Sequence, residues 1–137
     1  MPRLHVVAVA PRLPAWARAA RAAYLARMPR GYEVSLLELP AREEPRLLAR
    51  LPAGARIVAL DERGRDLTSV EFAALLDRPT AFVIGGPDGL PAAVRRRAEL
   101  RLRLSSLTLA HALAQVVLVE QLYRAATLRT GHPYHRD

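Results

Sequence analysis

Five short apolar runs, each of strand length, alternate along this chain with segments of helical period, and that alternation limits the fold more than any other feature. Leu4 to Ala10 is rich in Val and stops at Pro11, Val34 to Leu39 stops at Pro40, and Arg56 to Leu60 precedes the turn-like stretch 61–66. Thr80 to Ile84 is the clearest strand, and Leu100, Leu102 and Leu104 alternate with Arg101 and Arg103 at a period of two. Between them, Pro14 to Met28 carries Trp16, Ala20, Ala23, Tyr24 and Leu25 at helical spacing, Pro45 to Leu51 reads as a short helix, and Thr68 or Ser69 can cap a helix through Leu76. A short helix follows Pro91, and Ala110 to Thr130 forms a long one, with Ser105, Ser106 and Thr108 available as caps. Strands alternating with helices define an α/β fold on a mainly parallel sheet, in which ligands bind beyond the carboxyl ends of the strands.

With 137 residues the chain makes a single domain, residues 1–137, large enough to bury a core without staples. There is no Cys, which removes disulfides, thiolate metal sites and thiol nucleophiles. All 21 of the Lys and Arg residues are Arg. Phosphate-loop Lys chemistry and Schiff-base catalysis are therefore out. Against 13 acidic residues the formal charge is +8, which leads us to expect a polyanionic partner. The apolar start is too short to span a bilayer and has no signal-type pattern, so the expectation is a cytoplasmic protein without a membrane role. The long last helix is apolar on most of its circumference and needs cover on two sides, so a homodimer is expected, the alternative being burial within one protomer.

Three strand ends carry the chemistry. Gly85-Gly86-Pro87-Asp88-Gly89 follows the fourth strand; its glycine spacing is not that of a dinucleotide fingerprint, and it reads either as a tight turn or as a loop whose amides approach a ligand. Ser105 to Ala110 either caps the last helix or adds donors and acceptors to a pocket, and Leu60-Asp61 stands at a third strand end. Together they suit a pocket holding an adenine by main-chain hydrogen bonds. The tail Gly131-His132-Pro133-Tyr134-His135-Arg136-Asp137 makes a poor metal site, having no companion ligands at convincing spacing, and reads better as a lid bringing aromatic and acid–base groups to a nucleobase. Arg95-Arg96-Arg97 with Arg101 and Arg103 is a basic patch, either a solvated face or an RNA contact.

Ile84-Gly85-Gly86-Pro87-Asp88-Gly89, Leu104-Ser105-Ser106-Leu107-Thr108-Leu109, Leu122-Tyr123-Arg124-Ala125 and His132-Pro133-Tyr134-His135-Arg136 together resemble the ribosomal large-subunit methyltransferase H family. These are the pseudouridine N3-methyltransferases of the trefoil-knot (SPOUT) superfamily, and the likeness runs along nearly the whole chain. The resemblance implies a deep C-terminal trefoil knot, a homodimer, S-adenosyl-L-methionine as methyl donor, and a pseudouridine of 23S rRNA as target; the small size of the chain leads us to expect that it reads the assembled ribosome rather than free RNA. It implies that Leu60, Gly86, Ser105, Ser106, Leu107, Thr108, Leu109 and Ala110 bind the cofactor. It implies that His111, Arg124, Tyr134, His135 and Arg136 face the substrate base as the catalytic set; on chemical grounds we expect His135 to handle the proton, the alternative being water with the tail only positioning the base, and we expect no metal. The chain departs from the family's usual pattern at Ala10 for Gly, at Ala110-His111-Ala112 for Pro-His-Pro, at Asp88 for Glu, and in a short stretch between Leu39 and Arg56. The alternatives are a knot methyltransferase acting on another RNA, such as tRNA, and a non-catalytic basic RNA-binding module.

Overall fold

The computed structural model describes residues 3–9 and 12–136, the side chains of His135 and Arg136 excepted. The expected last strand residue Ala10 and its stop at Pro11 thus lie outside the described residues, as does Asp137. Five strands, β1 (Leu4–Val9), β2 (Val34–Leu39), β3 (Arg56–Asp66), β4 (Thr80–Ile84) and β5 (Leu100–Arg103), form one sheet in the order β2-β1-β4-β3-β5. Every pairing is parallel, with Leu4 opposite both Val34 and Thr80, and Val58 opposite both Phe82 and Leu100. Parallel strands need crossovers that place helices on the sheet, which explains why β1 and β4 read as continuous apolar runs.

The helices are α1 (Ala15–Ala26), α2 (Leu47–Arg50), α3 (Ser69–Ala74), α4 (Ala92–Arg97) and α5 (His111–Thr130). Side chains alternate across the sheet. Val6, Ala8, Val58, Phe82, Ile84 and Leu102 pack with Phe72 and Leu76 beside Leu118, Leu122 and Ala126 of α5, while Val7, Val9, Ile57, Ala59, Ala81 and Val83 pack with Leu47 and Val94 on the other face. The long helix therefore covers one face of the sheet and sits against α1 and α3. Its outer side stays partly open, with Leu113 exposed.

Several local expectations are corrected. The 61–66 stretch is not a turn: β3 continues to Asp66, and pairing with β5 shifts register between Leu60 and Arg65. A Cβ on Gly64 would meet the Arg101 carbonyl oxygen at 2.6 Å and the Leu102 nitrogen at 2.8 Å, so the bend rests on the β5 backbone and admits only Gly. The expected helix from Pro45 to Leu51 is a 3₁₀ segment, Ala41–Arg46, followed by one α-turn, because Pro45 inside it removes a backbone donor. The first helix is bounded by Pro14 as its N-cap and Arg27 as its C-cap, inside the expected span. Ser105, Ser106 and Thr108 do not cap α5; Ala110 occupies the cap without a side-chain bond, and Ser105 Oγ accepts from the Leu107 N–H at 2.9 Å instead. Thr68 does cap α3, in a reciprocal capping box with Glu71.

Candidate functional site

The chain turns sharply after β4. Gly89 N–H donates to the Gly86 carbonyl at 2.9 Å, Pro87 and Asp88 take the corner, and Gly89 adopts φ +81°. A Cβ on Gly85 would meet Gly89 backbone carbon at 2.7 Å, so the loop closes on itself only because that position is Gly. The loop after β5, residues 104–109, has neither helical nor strand structure and leaves its peptide groups unclaimed by a ladder. Between these two loops and the Leu60–Arg63 part of β3 lies a cavity of about 1110 Å³. It opens at the carboxyl ends of the parallel strands, where α/β sheets hold their ligands.

Leu60, Gly86, Ser105, Ser106, Leu107, Thr108 and Leu109 all line this cavity. Ala110 does not; its place is the cap of α5, and His111 and Ala114 from the first turns of the helix line the wall instead. Arg95, Arg96, Arg101 and Arg103 also border the cavity. The expected basic patch is partly spent on the fold: Arg103 holds Asp66 in a fork, Nε to Oδ1 at 2.7 Å and Nη2 to Oδ2 at 2.5 Å, and Arg101 lies 3.8 Å from Asp61. The Arg103 guanidinium depresses the Asp66 carboxyl below its ordinary range.

A second cluster forms at the far end of α5. Gly131, at φ 78°, ends the helix in the left-handed conformation, and the His132 N–H returns to the Thr127 carbonyl at 3.0 Å. The tail thereby folds back: the Tyr134 ring packs edge-on against Tyr123 at 4.6 Å, and its hydroxyl donates to Glu120 Oε2 at 2.7 Å. Burial and the Glu120 carboxylate push the Tyr134 phenol well above its usual range. The Arg124 guanidinium lies 5.1 Å from the Tyr134 ring and 3.2 Å from Glu120, and the Arg27 guanidinium lies over Tyr123 at 4.8 Å. Arg124 and Tyr134 are thus brought together, but not with the cavity. His111 and Arg124 stand on one helix about 20 Å apart at the usual rise per residue. The His135 and Arg136 side chains lie outside the described residues.

The chain's sequence gave no hint of a buried polar group behind His111. Arg21 of α1 is 5% exposed and Gln115 of α5 is 0% exposed. Arg21 Nη1 donates to Gln115 Oε1 at 2.6 Å, and the same guanidinium grips Glu38 of β2 at 3.1 and 3.3 Å. Gln115 Nε2 lies 2.9 Å from His111 Nε2. Burial lowers the His111 pKa from its ordinary value. Arg21 carries the periodicity of a solvated helix face, so only the return of α5 beside α1 reveals the group. Among the described residues no cluster of three or more His, Asp or Glu is placed to hold a metal ion, and no helix is long and apolar enough to cross a membrane.

The fold of this doubly covered parallel sheet is shared with known methyltransferases. The structure is similar to that of a probable methylase family protein from Haemophilus influenzae Rd KW20, with a TM-score of 0.64 at 13% identity over 97% of this chain and 70% of that one. It is also similar to the SpoU methyltransferase AviRb from Streptomyces viridochromogenes in complex with the cofactor AdoMet, with a TM-score of 0.53 at 17% identity over 90% of this chain and 58% of that one. A family model described as "Predicted SPOUT methyltransferase" matches residues 2–135. The sequence is 45% identical over 154 aligned positions to the ribosomal RNA large subunit methyltransferase H of Burkholderia mallei (strain SAVP1), covering 98% of this chain and 99% of the relative. The chain belongs to the SPOUT methyltransferases, in the ribosomal RNA large subunit methyltransferase H family. An alignment longer than the chain's 137 residues means that the relative carries segments this chain lacks.

Proposed function

We propose that the protein transfers a methyl group from S-adenosyl-L-methionine to N3 of a pseudouridine in large-subunit 23S rRNA, acting in the cytoplasm on the assembled ribosome. The observation that carries this reading is the cavity at the carboxyl ends of β4 and β5 beside the middle of β3, lined by the residues that the family resemblance assigns to the cofactor, Ala110 excepted. It is large enough for a nucleoside-sized ligand, since small-molecule sites usually enclose about 300–1,000 Å³. The closed Gly85–Gly89 turn and the open 104–109 loop offer peptide groups in the manner that holds an uncharged adenine. The donor's sulfonium supplies an already activated methyl group.

What remains for the chain is the acceptor. N3 of the base carries a proton, and its lone pair becomes nucleophilic only when that proton leaves. A positive field favours the resulting anion, and in this reading the Arg124 and Arg136 guanidinium groups supply it. His135 takes the proton in this reading, and Tyr134 orients the ring. Because Arg124 and Tyr134 gather around Glu120 and Tyr123 rather than at the His111 turn that lines the cavity, one protomer's tail serves its partner's cavity in this reading, as a homodimer. The partly open side of α5 and the exposed Leu113 and Trp16 support a subunit contact there. The knotted threading of the C-terminal region belongs to this reading through the family resemblance.

Few side chains are available for sequence readout, so the target is read through the shape and phosphates of the assembled particle. Mass mapping of modified nucleosides in 23S rRNA and tRNA from a deletion strain tests the assignment. Loss of one methylated pseudouridine from 23S rRNA, restored by the gene, is the expected result. Loss of a tRNA nucleoside instead would move the target, and no loss together with no heat on titration with S-adenosyl-L-methionine would leave a basic RNA-binding module.

A further inference from the structure

Polar groups buried on a helix shared with a ligand cavity usually set the state of whatever they touch, and the group behind His111 has only one consistent arrangement of protons. A guanidinium only donates. The Gln115 amide must therefore turn its oxygen toward Arg21, as the 2.6 Å contact has it, and its NH₂ toward His111. An amide NH₂ is a donor, so His111 Nε2 has to accept. A neutral imidazole that accepts at Nε2 carries its proton on Nδ1. Glu38, forked on the same guanidinium, fixes Arg21 in turn. None of these groups can reverse without leaving two donors face to face in a site that excludes water at Gln115.

We propose that Arg21 and Gln115 are positioning residues that hold His111 in the Nδ1–H tautomer, so that it offers the cavity a hydrogen-bond donor for a ligand oxygen rather than a base. A nitrogen already accepting from Gln115 has no lone pair free for a substrate proton, and the remaining nitrogen bears a hydrogen. The depressed basicity that burial gives His111 agrees with a neutral ring. The ligand oxygen is a carboxylate of the methyl donor or a carbonyl of the target base; both accept from Nδ1–H. This ligand half rests on the proposed methyltransfer reading, whereas the tautomer half does not.

Long-range proton–nitrogen correlation on the full-length protein labelled with ¹⁵N-histidine, at about pH 8 where imidazoles are neutral, reads the tautomer directly. The His111 signals are identified by their loss in His111→Asn. The expected pattern is a protonated Nδ1 and a bare Nε2; the reverse pattern in the native protein overturns the proposal, whatever any variant does. In Gln115→Glu the new carboxylate can accept from both Arg21 and His111, so the proton should move to Nε2. An unchanged pattern there would remove Gln115 from the role. Titration of native protein and Gln115→Glu with S-adenosyl-L-methionine, and KM for ribosomal particles, then separate the two oxygens. A loss of about tenfold in donor affinity, the order of one hydrogen bond, assigns the donor's carboxylate, and a similar rise in KM alone assigns the base carbonyl. A flipped tautomer with neither change overturns the ligand role. Failure of the native protein to bind the donor at all would instead defeat the proposed function and leave the tautomer result standing.

Discussion

Single residues in this protein are constrained most tightly where backbone meets backbone. Gly64 has no neighbour that can yield: the atoms a Cβ would strike are the Arg101 carbonyl and the Leu102 amide, both held in β5. Gly64→Ala should therefore destabilise the protein by about 1–3 kcal/mol, the range of overpacking a well-filled interior. Gly54→Ala, where the Cβ meets open space but φ is +78°, should lose only about 1 kcal/mol from the left-handed backbone. Urea unfolding of both variants checks the order, and equal midpoints would mean that the β3 bend relaxes away from β5. Ala110 presents the opposite case. Its φ of −59° and ψ of 146° are those of proline, and its N–H donates to no backbone carbonyl among the described residues. Ala110→Pro, which places there the residue that the family resemblance leads us to expect, should raise stability by about 0.4–1 kcal/mol by restricting the unfolded chain. A fall in the unfolding midpoint would show that Leu109 cannot take the extended backbone that a following Pro demands.

At the scale of elements, what the sequence disclosed and what it hid have separate physical causes. Strands buried on both faces announce themselves by nearly unbroken apolar runs, which is why the interior strands β1 and β4 stand out, whereas the edge strand β2 keeps Ser35 and Glu38 among its Val and Leu and is marked by the Pro that follows it. The extension of β3 through Arg63 and Arg65 could not be read that way, because its pairing is held by main-chain bonds to β5 beneath charged side chains. Cavity residues 105–109 were legible through the family likeness, but the Arg21–Gln115 group was not, since a contact between positions 94 apart leaves no local period. The same burial makes two elements sensitive to acid. His5 in β1 and His111 in α5 both have pKa values lowered from the ordinary 6.5 by desolvation. The fold then binds fewer protons than the unfolded chain, so stability is full above about pH 6.5 and is lost as pH falls through the lowered folded values. Urea midpoints should drop between about pH 7.5 and pH 5.5, a window above the depressed carboxyls of Asp66 and Asp77. The drop should shrink in His111→Asn; an unchanged pH dependence would place the sensitivity elsewhere.

For the whole molecule, the decisive geometry is that α5 carries its two functional ends apart. The cavity meets the first turns of the helix at His111 and Ala114, while Tyr134 folds back onto Tyr123 and Glu120 beyond its middle. Along a rigid helix His111 and Arg124 stay about 20 Å apart within one chain. If catalysis needs both, a second copy must supply one. Mixed dimers test this without a structure of the complex. One chain would carry Gly86→Trp, filling the cavity beside a loop whose added Cβ already lies 3.4 Å from the Val9 carbonyl. The other would carry Arg124→Ala with Tyr134→Ala, leaving its cavity whole. Each homodimer should be inactive on ribosomal particles. The mixed dimer should recover close to half of the native single-turnover amplitude, because one of its two sites pairs an intact cavity with an intact tail. Recovery cannot come from either parent alone, so an inactive mixed dimer whose assembly is verified by mass would mean that each site is completed within its own chain, and the tail would then have to leave Glu120 and Tyr123 to reach it.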